Sequence, residues 1–201
     1  MRPAAVVTRY HYVLIFKQEQ MDRQVQFVKA ARQLFEQKGY TEVGMREIAA
    51  QAGFTPVQAY RLGLSKVDLL AEISIALSDE QISKITKKTQ RKVDEGLDEF
   101  VHRYLLALYV SDIKHIKIRR ESAAFGWMWS TAYEERIRIQ VMELLAPIIA
   151  ALTKANHPDI PARCFAIWSL YYVGYRNAVV NGATAKQCLE SIAPSLRLLL
   201  P

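Results

Sequence analysis

Between residues 39 and 70, apolar positions return at helical spacing in two short bursts divided by a glycine. Met45, Ile48, Ala49 and Ala52 sit at i, i+3, i+4 and i+7, one face of a short helix. Gly53 follows at the point where helices often end in a left-handed residue. Thr55-Pro56-Val57-Gln58 then restarts a helix, with Thr55 as N-cap, Pro56 at the first helical position and Gln58 closing a capping box. Helix, three-residue turn and helix form the plan that sets a helix into a DNA major groove. Upstream, Phe27, Ala30, Ala31, Leu34 and Phe35 give the apolar face of a preceding helix, closed by Gly39 and Tyr40. Downstream, Ser65-Lys66-Val67-Asp68 reads as a second capping-box start, and Leu69, Leu70 and Ile73 continue its buried face.

From residue 66 onward the pattern is helical throughout and predicts an all-α protein. One helix is expected over 66 to about 90, and the next over about 94–110. The inner face of the second carries Leu97, Phe100, Val101, Tyr104, Leu105 and Leu108. Helices over 112 to about 125 and 131 to about 154 follow, the latter containing Pro147, which removes a backbone hydrogen bond. The run NHPDIP at 156–161 is a break, and two last helices are expected over about 162–180 and 184–200. Residues 1–20 do not share this pattern. AVVTRYHYVLIF is β-branched and aromatic, and reads as a loose arm, an extension ahead of a start at Met21, or an arm reaching DNA through Arg2 and Arg9.

Charge sharpens the picture. The chain of 201 residues carries a net charge of +7. Residues 1–66 hold 10 Lys/Arg against 5 Asp/Glu, so most of the excess lies on the helix-turn-helix side, where phosphate binding needs it. Cys164 and Cys188 stand in separate predicted helices without metal-ligand spacing, and read as two free thiols, with a redox-sensing disulfide as the alternative. No apolar run approaches the roughly 18 residues of a membrane span, and YVLIF is too short for a signal-peptide core. A cytoplasmic location is expected.

The run AARQLFEQKGY...REIAAQAGFTPVQAYR...SKVDLL resembles the N-terminal domain of TetR-family transcriptional regulators, with about ten positions agreeing in order over some fifty residues. Two departures stand out. Members usually carry Phe where this chain has Gly63, and His or a similar residue where it has Leu62, so Leu64 is expected to supply the missing packing. A Ser or Thr usually caps the first motif helix, and here Gly44 stands there.

The resemblance implies three domain-level segments: an arm over 1–20, a three-helix helix-turn-helix DNA-binding domain over 21–65, and a six-helix effector-binding and dimerisation domain over 66–201. It also implies a homodimer joined by the last two helices, which suits half-sites one helical turn (about 34 Å) apart in a palindromic operator. Leu189, Ile192, Ala193, Leu196, Leu199 and Leu200 offer one apolar stripe for that interface. Ile167, Leu170, Tyr171, Gly174 and Ala178 offer another.

Thr55, Val57, Gln58 and Arg61 are the candidates for base contact: Gln58 to adenine, Arg61 to guanine or phosphate, Val57 to a thymine methyl. Gln58 has a competing use in its capping box. By resemblance Tyr60 and Lys66 hold phosphates, and Arg46 on the polar side of the first motif helix is a further phosphate candidate. The resemblance further implies an effector pocket in the larger domain, and a helix from Lys66 that couples it to DNA binding. Phe125, Trp127, Trp129, Tyr133, Trp168, Tyr171, Tyr172 and Tyr175 form an aromatic-rich set suited to its walls, and ordinary core packing is the other reading of them. His102, Glu121, Arg176 and Asn177 are candidates for its polar groups. The expected ligand is a small hydrophobic or aromatic molecule.

No GxSxG, HExxH, P-loop or dinucleotide fingerprint occurs, and the four histidines are scattered. The chain is expected to be a regulator rather than an enzyme, with no cofactor and no metal. A ligand-binding or scaffold protein that has lost operator binding is the alternative, prompted by Gly44, Leu62 and Gly63.

Overall fold

The computed structural model describes residues 4–200, with side chains from residue 18 onward. Among the described residues every regular element is helical. The chain divides into two compact units, residues 1–73 and 74–201, and the division falls inside a helix rather than at its start at Lys66.

The first unit holds α1 (Ala4–Lys38), α2 (Met45–Gln51), α3 (Pro56–Arg61) and the first two turns of α4 (Lys66–Gln81). The arm expected over 1–20, with Arg2 and the side chain of Arg9, falls mostly outside the described residues; the backbone from residue 4 belongs to α1. Phe27, Ala31 and Phe35 of α1, Ile48 of α2 and Leu69, Leu70 and Ile73 of α4 are fully buried. Each of the large ones contributes about 1.5–3 kcal/mol by leaving water.

The second unit holds the rest of α4, α5 (Leu97–Lys114), α6 (Ile116–Phe125), α7 (Thr131–Lys154), α8 (Ile160–Asn181) and α9 (Ala185–Leu199). α4 stops nine residues short of the expected end. A π-helical turn, Ile82–Thr86, follows it, in which Lys87 N–H donates to Ile82 O at 3.1 Å, one residue wider than the α pattern. The loop after this turn is tied down by Glu95. Its carboxylate accepts from Arg103 Nε and Nη2 at 2.6 and 2.8 Å and from Lys92 N–H at 3.0 Å. These bonds, Arg103 first, hold the Glu95 pKa to about 2. α5 begins at Leu97 behind Gly96, and α6 begins at Ile116 because the backbone leaves the helical range at His115. α7 runs through Pro147 without interruption, and α9 opens on a Thr184–Gln187 capping box.

The core of this unit is centred on Phe100, Tyr104, Leu105, Leu108 and Tyr109 of α5, with α8 and α9 packed together beside it. Tyr104 donates to Leu144 O at 2.7 Å and Tyr109 to Tyr171 O at 2.9 Å, so both phenols spend their polar ends inside. The stripes expected to face a second subunit are largely used here instead. Ile167, Tyr171, Gly174, Ala178, Ile192, Leu196 and Leu200 are buried within the subunit itself. Gly174 permits this packing: a Cβ there would collide with Tyr109 Oη and lie 2.9 Å from Cys188 O. Left outside is a different row on α8, Phe165, Tyr172, Val173 and Val180, joined by Leu198 of α9. Cys164 and Cys188 are free and buried, and burial pushes both thiol pKa values up.

Candidate DNA-reading surface and ligand cavity

α2 ends in a paired set of backbone bonds around Gly53, which takes a left-handed φ of +72°. Gly53 N–H reaches Ala50 O at 3.0 Å and Phe54 N–H reaches Ala49 O at 2.8 Å, the Schellman arrangement. Phe54 then stacks on Phe27 with ring centroids 5.9 Å apart, which fixes the exit of the turn. α3 starts at once. Thr55 Oγ1 accepts from Gln58 N–H at 3.3 Å and Gln58 Oε1 accepts from Thr55 N–H at 2.8 Å, closing the capping box. Ala59 is the buried residue of α3; Thr55, Val57, Gln58, Tyr60 and Arg61 all face outward, with Tyr60 87% exposed.

Gly63 closes α3 with φ +68°, a conformation that a Phe there would adopt only under strain. Leu62, not Leu64, is the buried side chain of this junction; Leu64 is half-buried. α4 is opened by reciprocal Ser65–Asp68 bonds of 2.8 and 3.1 Å. Lys66 lays its ammonium 4.3 Å from the Tyr40 ring centroid and donates to Thr41 O at 3.3 Å. Its charge thus rests against the loop between α1 and α2. Arg46 is exposed on α2.

The second unit contains a cavity of about 550 Å³, within the range of small-molecule sites. Five of the six buried polar residues of the described chain line it: Ser74, Gln81, Asp112, Ser122 and Gln140. Asp112 organises one wall. Its Oδ1 accepts from Gln81 Nε2 at 2.5 Å and stands 3.0 Å from Arg119 Nε, while its Oδ2 accepts from Tyr171 Oη at 2.6 Å. Arg119 donates in turn to Gln81 Oε1, Ser78 Oγ and Ser74 O at 3.0–3.3 Å. Ser74 and Ser122 share a hydrogen bond, and Gln140 donates to Ile75 O and Asp79 Oδ1. The opposite chemistry comes from α8, whose Trp168, Tyr171, Tyr172 and Tyr175 fall at i, i+3, i+4 and i+7 on one face. Trp168 stacks on Tyr171 at 5.2 Å and Tyr171 on Tyr109 at 4.5 Å. Trp127 is almost fully exposed and Tyr172 half exposed, which puts them at the rim. Burial, then the charge of Asp112, pushes the Tyr171 and Tyr175 pKa values up, so both phenols stay protonated at neutral pH.

Residues 27–73 match the family described as bacterial regulatory proteins, tetR family. The N-terminal unit is a TetR-family domain. No curated protein matches the chain in sequence. Solved structures do. A TetR/AcrR-family transcriptional regulator from Thermobifida fusca is 23% identical, with a TM-score of 0.60 over 89% of this chain and 97% of the other. A tetR-family regulatory protein from Rhodococcus RHA1 is 20% identical, with a TM-score of 0.62 over 89% and 96%. The regulator FadR from Bacillus subtilis, solved with stearoyl-CoA, is 18% identical, with a TM-score of 0.62 over 88% and 97%. At these identities the likeness shows the fold, and the fold is that of TetR-family transcriptional regulators.

Within the TetR-family domain, the structure brings Thr55, Val57, Gln58, Tyr60 and Arg61 onto one exposed helix, with Arg46 and Lys66 on the helices either side in sequence. Gln58 spends its Oε1 on the capping box, so pairing both amide atoms with an adenine would require opening that bond. In the second unit Trp127, Trp129, Trp168 and Tyr172 line the cavity, with Tyr171 and Tyr175 beside them. His102, Glu121, Phe125, Arg176, Tyr133 and Asn177 are not among its lining residues. His102 bonds to Asp98 O at 2.7 Å, Glu121 pairs with Arg120, and Arg176 is exposed. Sequence reasoning missed the polar wall of Ser74, Ser78, Gln81, Asp112, Arg119, Ser122 and Gln140. Its signal is a polar residue on an otherwise apolar helical face, as Ser74 is among Leu70, Ala71 and Leu77. Among the described residues no cluster suited to a metal ion occurs, and no helix is long and apolar enough to cross a membrane.

Proposed function

We propose that this protein is a homodimeric transcriptional repressor that holds a palindromic operator and leaves it when a small hydrophobic or aromatic effector fills the cavity of the second unit. The observation that carries the reading is the outward face of α3. A large aromatic, Tyr60, stands 87% exposed beside Thr55, Val57, Gln58 and Arg61, and none of these packs into its own subunit. Such a face suits a duplex, with Tyr60, Lys66 and Arg46 on phosphates and Val57 and Arg61 on base edges. The apolar row Phe165, Tyr172, Val173, Val180 and Leu198 supports pairing of two copies through α8 and α9.

The same helix that starts with Lys66 supplies Ser74, Ser78 and Gln81 to the cavity lining, which supports α4 as the element through which ligand and operator compete. The FadR neighbour's complex with stearoyl-CoA supports reading this fold as one that accepts a ligand. A useful switch needs a coupling of about 1–3 kcal/mol between the two sites. Selection of bound fragments from genomic DNA, followed by titration against salt, tests the proposal. Palindromic fragments should emerge, and Lys66→Ala should weaken binding evenly across sequences and lower the salt slope by about one. Failure to enrich any fragment, with the fold intact, would leave a ligand-binding protein without an operator.

A further inference from the structure

Three buried side-chain polar atoms of the described residues lack a hydrogen-bond partner: Arg119 Nε, Trp129 Nε1 and Tyr175 Oη. All three belong to residues that line the one cavity described above. Arg119 Nε still faces the Asp112 carboxylate at 3.0 Å, which leaves Trp129 Nε1, a donor only, and Tyr175 Oη, whose O–H can donate, as the groups open to a ligand acceptor. Tyr175 is the clearest case, with only 6% of its surface exposed. Its neighbour Tyr171, by contrast, hands its hydroxyl to Asp112 at 2.6 Å.

Charge narrows the ligand further. The lining holds two carboxylates, Asp112 and Glu134, against a single guanidinium, Arg119. That guanidinium stands 3.0 Å from Asp112 and is already neutralised by it. An anion entering here would meet no free positive charge and a net negative wall. The aromatic side chains Trp129, Trp168 and Tyr172 favour a flat π-system.

We propose that the cavity takes an uncharged, planar aromatic molecule bearing a carbonyl-type oxygen, with Tyr175 Oη and Trp129 Nε1 as donors to its acceptors. The inference rests on the reading of this cavity as the effector site and adds its ligand class. An aryl ketone meets both demands; an aryl carboxylate meets the hydrogen bonds but not the charge; a bare hydrocarbon meets neither donor.

The chain's three tryptophans, Trp127, Trp129 and Trp168, all line the cavity, so their fluorescence reports on it directly. The full chain is titrated with 2-acetonaphthone, 2-ethylnaphthalene and 2-naphthoate, by tryptophan quenching and by calorimetry, with binding to its selected DNA fragment measured in parallel. 2-Acetonaphthone should bind about tenfold more tightly than the ethyl compound, the scale of one satisfied buried donor, and 2-naphthoate should bind least. Tyr175→Phe, checked by its melting curve, should remove most of the ketone's advantage and leave the ethyl compound unchanged; Trp129→Phe, read by calorimetry, should remove the remainder. Equal binding of ketone and hydrocarbon overturns the ligand class while leaving the cavity reading in place, as does tightest binding of the carboxylate. A ketone preference that survives both substitutions also overturns it. Binding of none of the three overturns the cavity reading together with the inference, whereas absence of DNA binding with the ketone preference intact strikes only the operator.

Discussion

Gly174→Ala adds one methyl group where α8 packs against Tyr109 of α5 and Cys188 of α9. The new Cβ would lie 2.9 Å from Cys188 O and collide with Tyr109 Oη, and a backbone carbonyl cannot swing aside. Tyr109 must then move, which breaks its 2.9 Å bond to Tyr171 O. Overpacking of this kind costs about 1–3 kcal/mol, and a buried hydroxyl left unpaired a further 1–3 kcal/mol or so. Alanine's better helix propensity returns about 1 kcal/mol. The net expectation is a loss of about 1–5 kcal/mol. Urea denaturation followed by circular dichroism measures it, as a lower midpoint at unchanged slope. Tyr109→Phe in the same background removes the hydroxyl from the collision, so the double variant should lose less than the sum of the singles by more than about 0.5 kcal/mol. A Gly174→Ala protein as stable as the parent would refute the packing argument.

Two further outcomes are expected. The Glu95 carboxyl, held to about 2 by Arg103 against 4.5 for the free group, contributes stability that is complete above about pH 4.5 and lost as pH falls towards 2. Glu95→Gln should therefore flatten the stability–pH curve across that window, and an acid limb as steep as the parent's would remove Glu95 from the account. Val173 is 62% exposed in the apolar row of α8, so Val173→Glu should convert a dimer to monomers by light scattering with the melting curve little changed. An unchanged mass for a dimeric parent would place the interface elsewhere.

Local chemistry was the most legible part of the chain. The capping boxes at Thr55 and Ser65 and the glycine turn at Gly53 depend on residues within three positions of each other, and the structure contains all of them. Helix existence followed from periodicity, with α7, α8 and α9 within two residues of expectation. The end of α4 did not, because a π-helical turn changes which carbonyl an N–H meets without changing side-chain type. Periodicity also identifies a buried face without naming what buries it. For that reason Ile167, Gly174 and Ile192 read as interface residues although they pack within the subunit. The cavity divided in the same way. Its aromatic face lies mostly on one helix and shows as a repeat, whereas its polar wall takes Ser74 from α4, Asp112 from α5, Arg119 from α6 and Gln140 from α7.

The state of the two native thiols makes site-directed labelling simple. Cys164 and Cys188 are shielded, and their raised pKa values leave little thiolate at neutral pH to attack a maleimide. A single cysteine introduced at Val93, 93% exposed, would take a dye or spin label selectively with both natural cysteines retained. The proposed pairing of two copies and their proposed response to a ligand then become measurable in the otherwise unaltered protein.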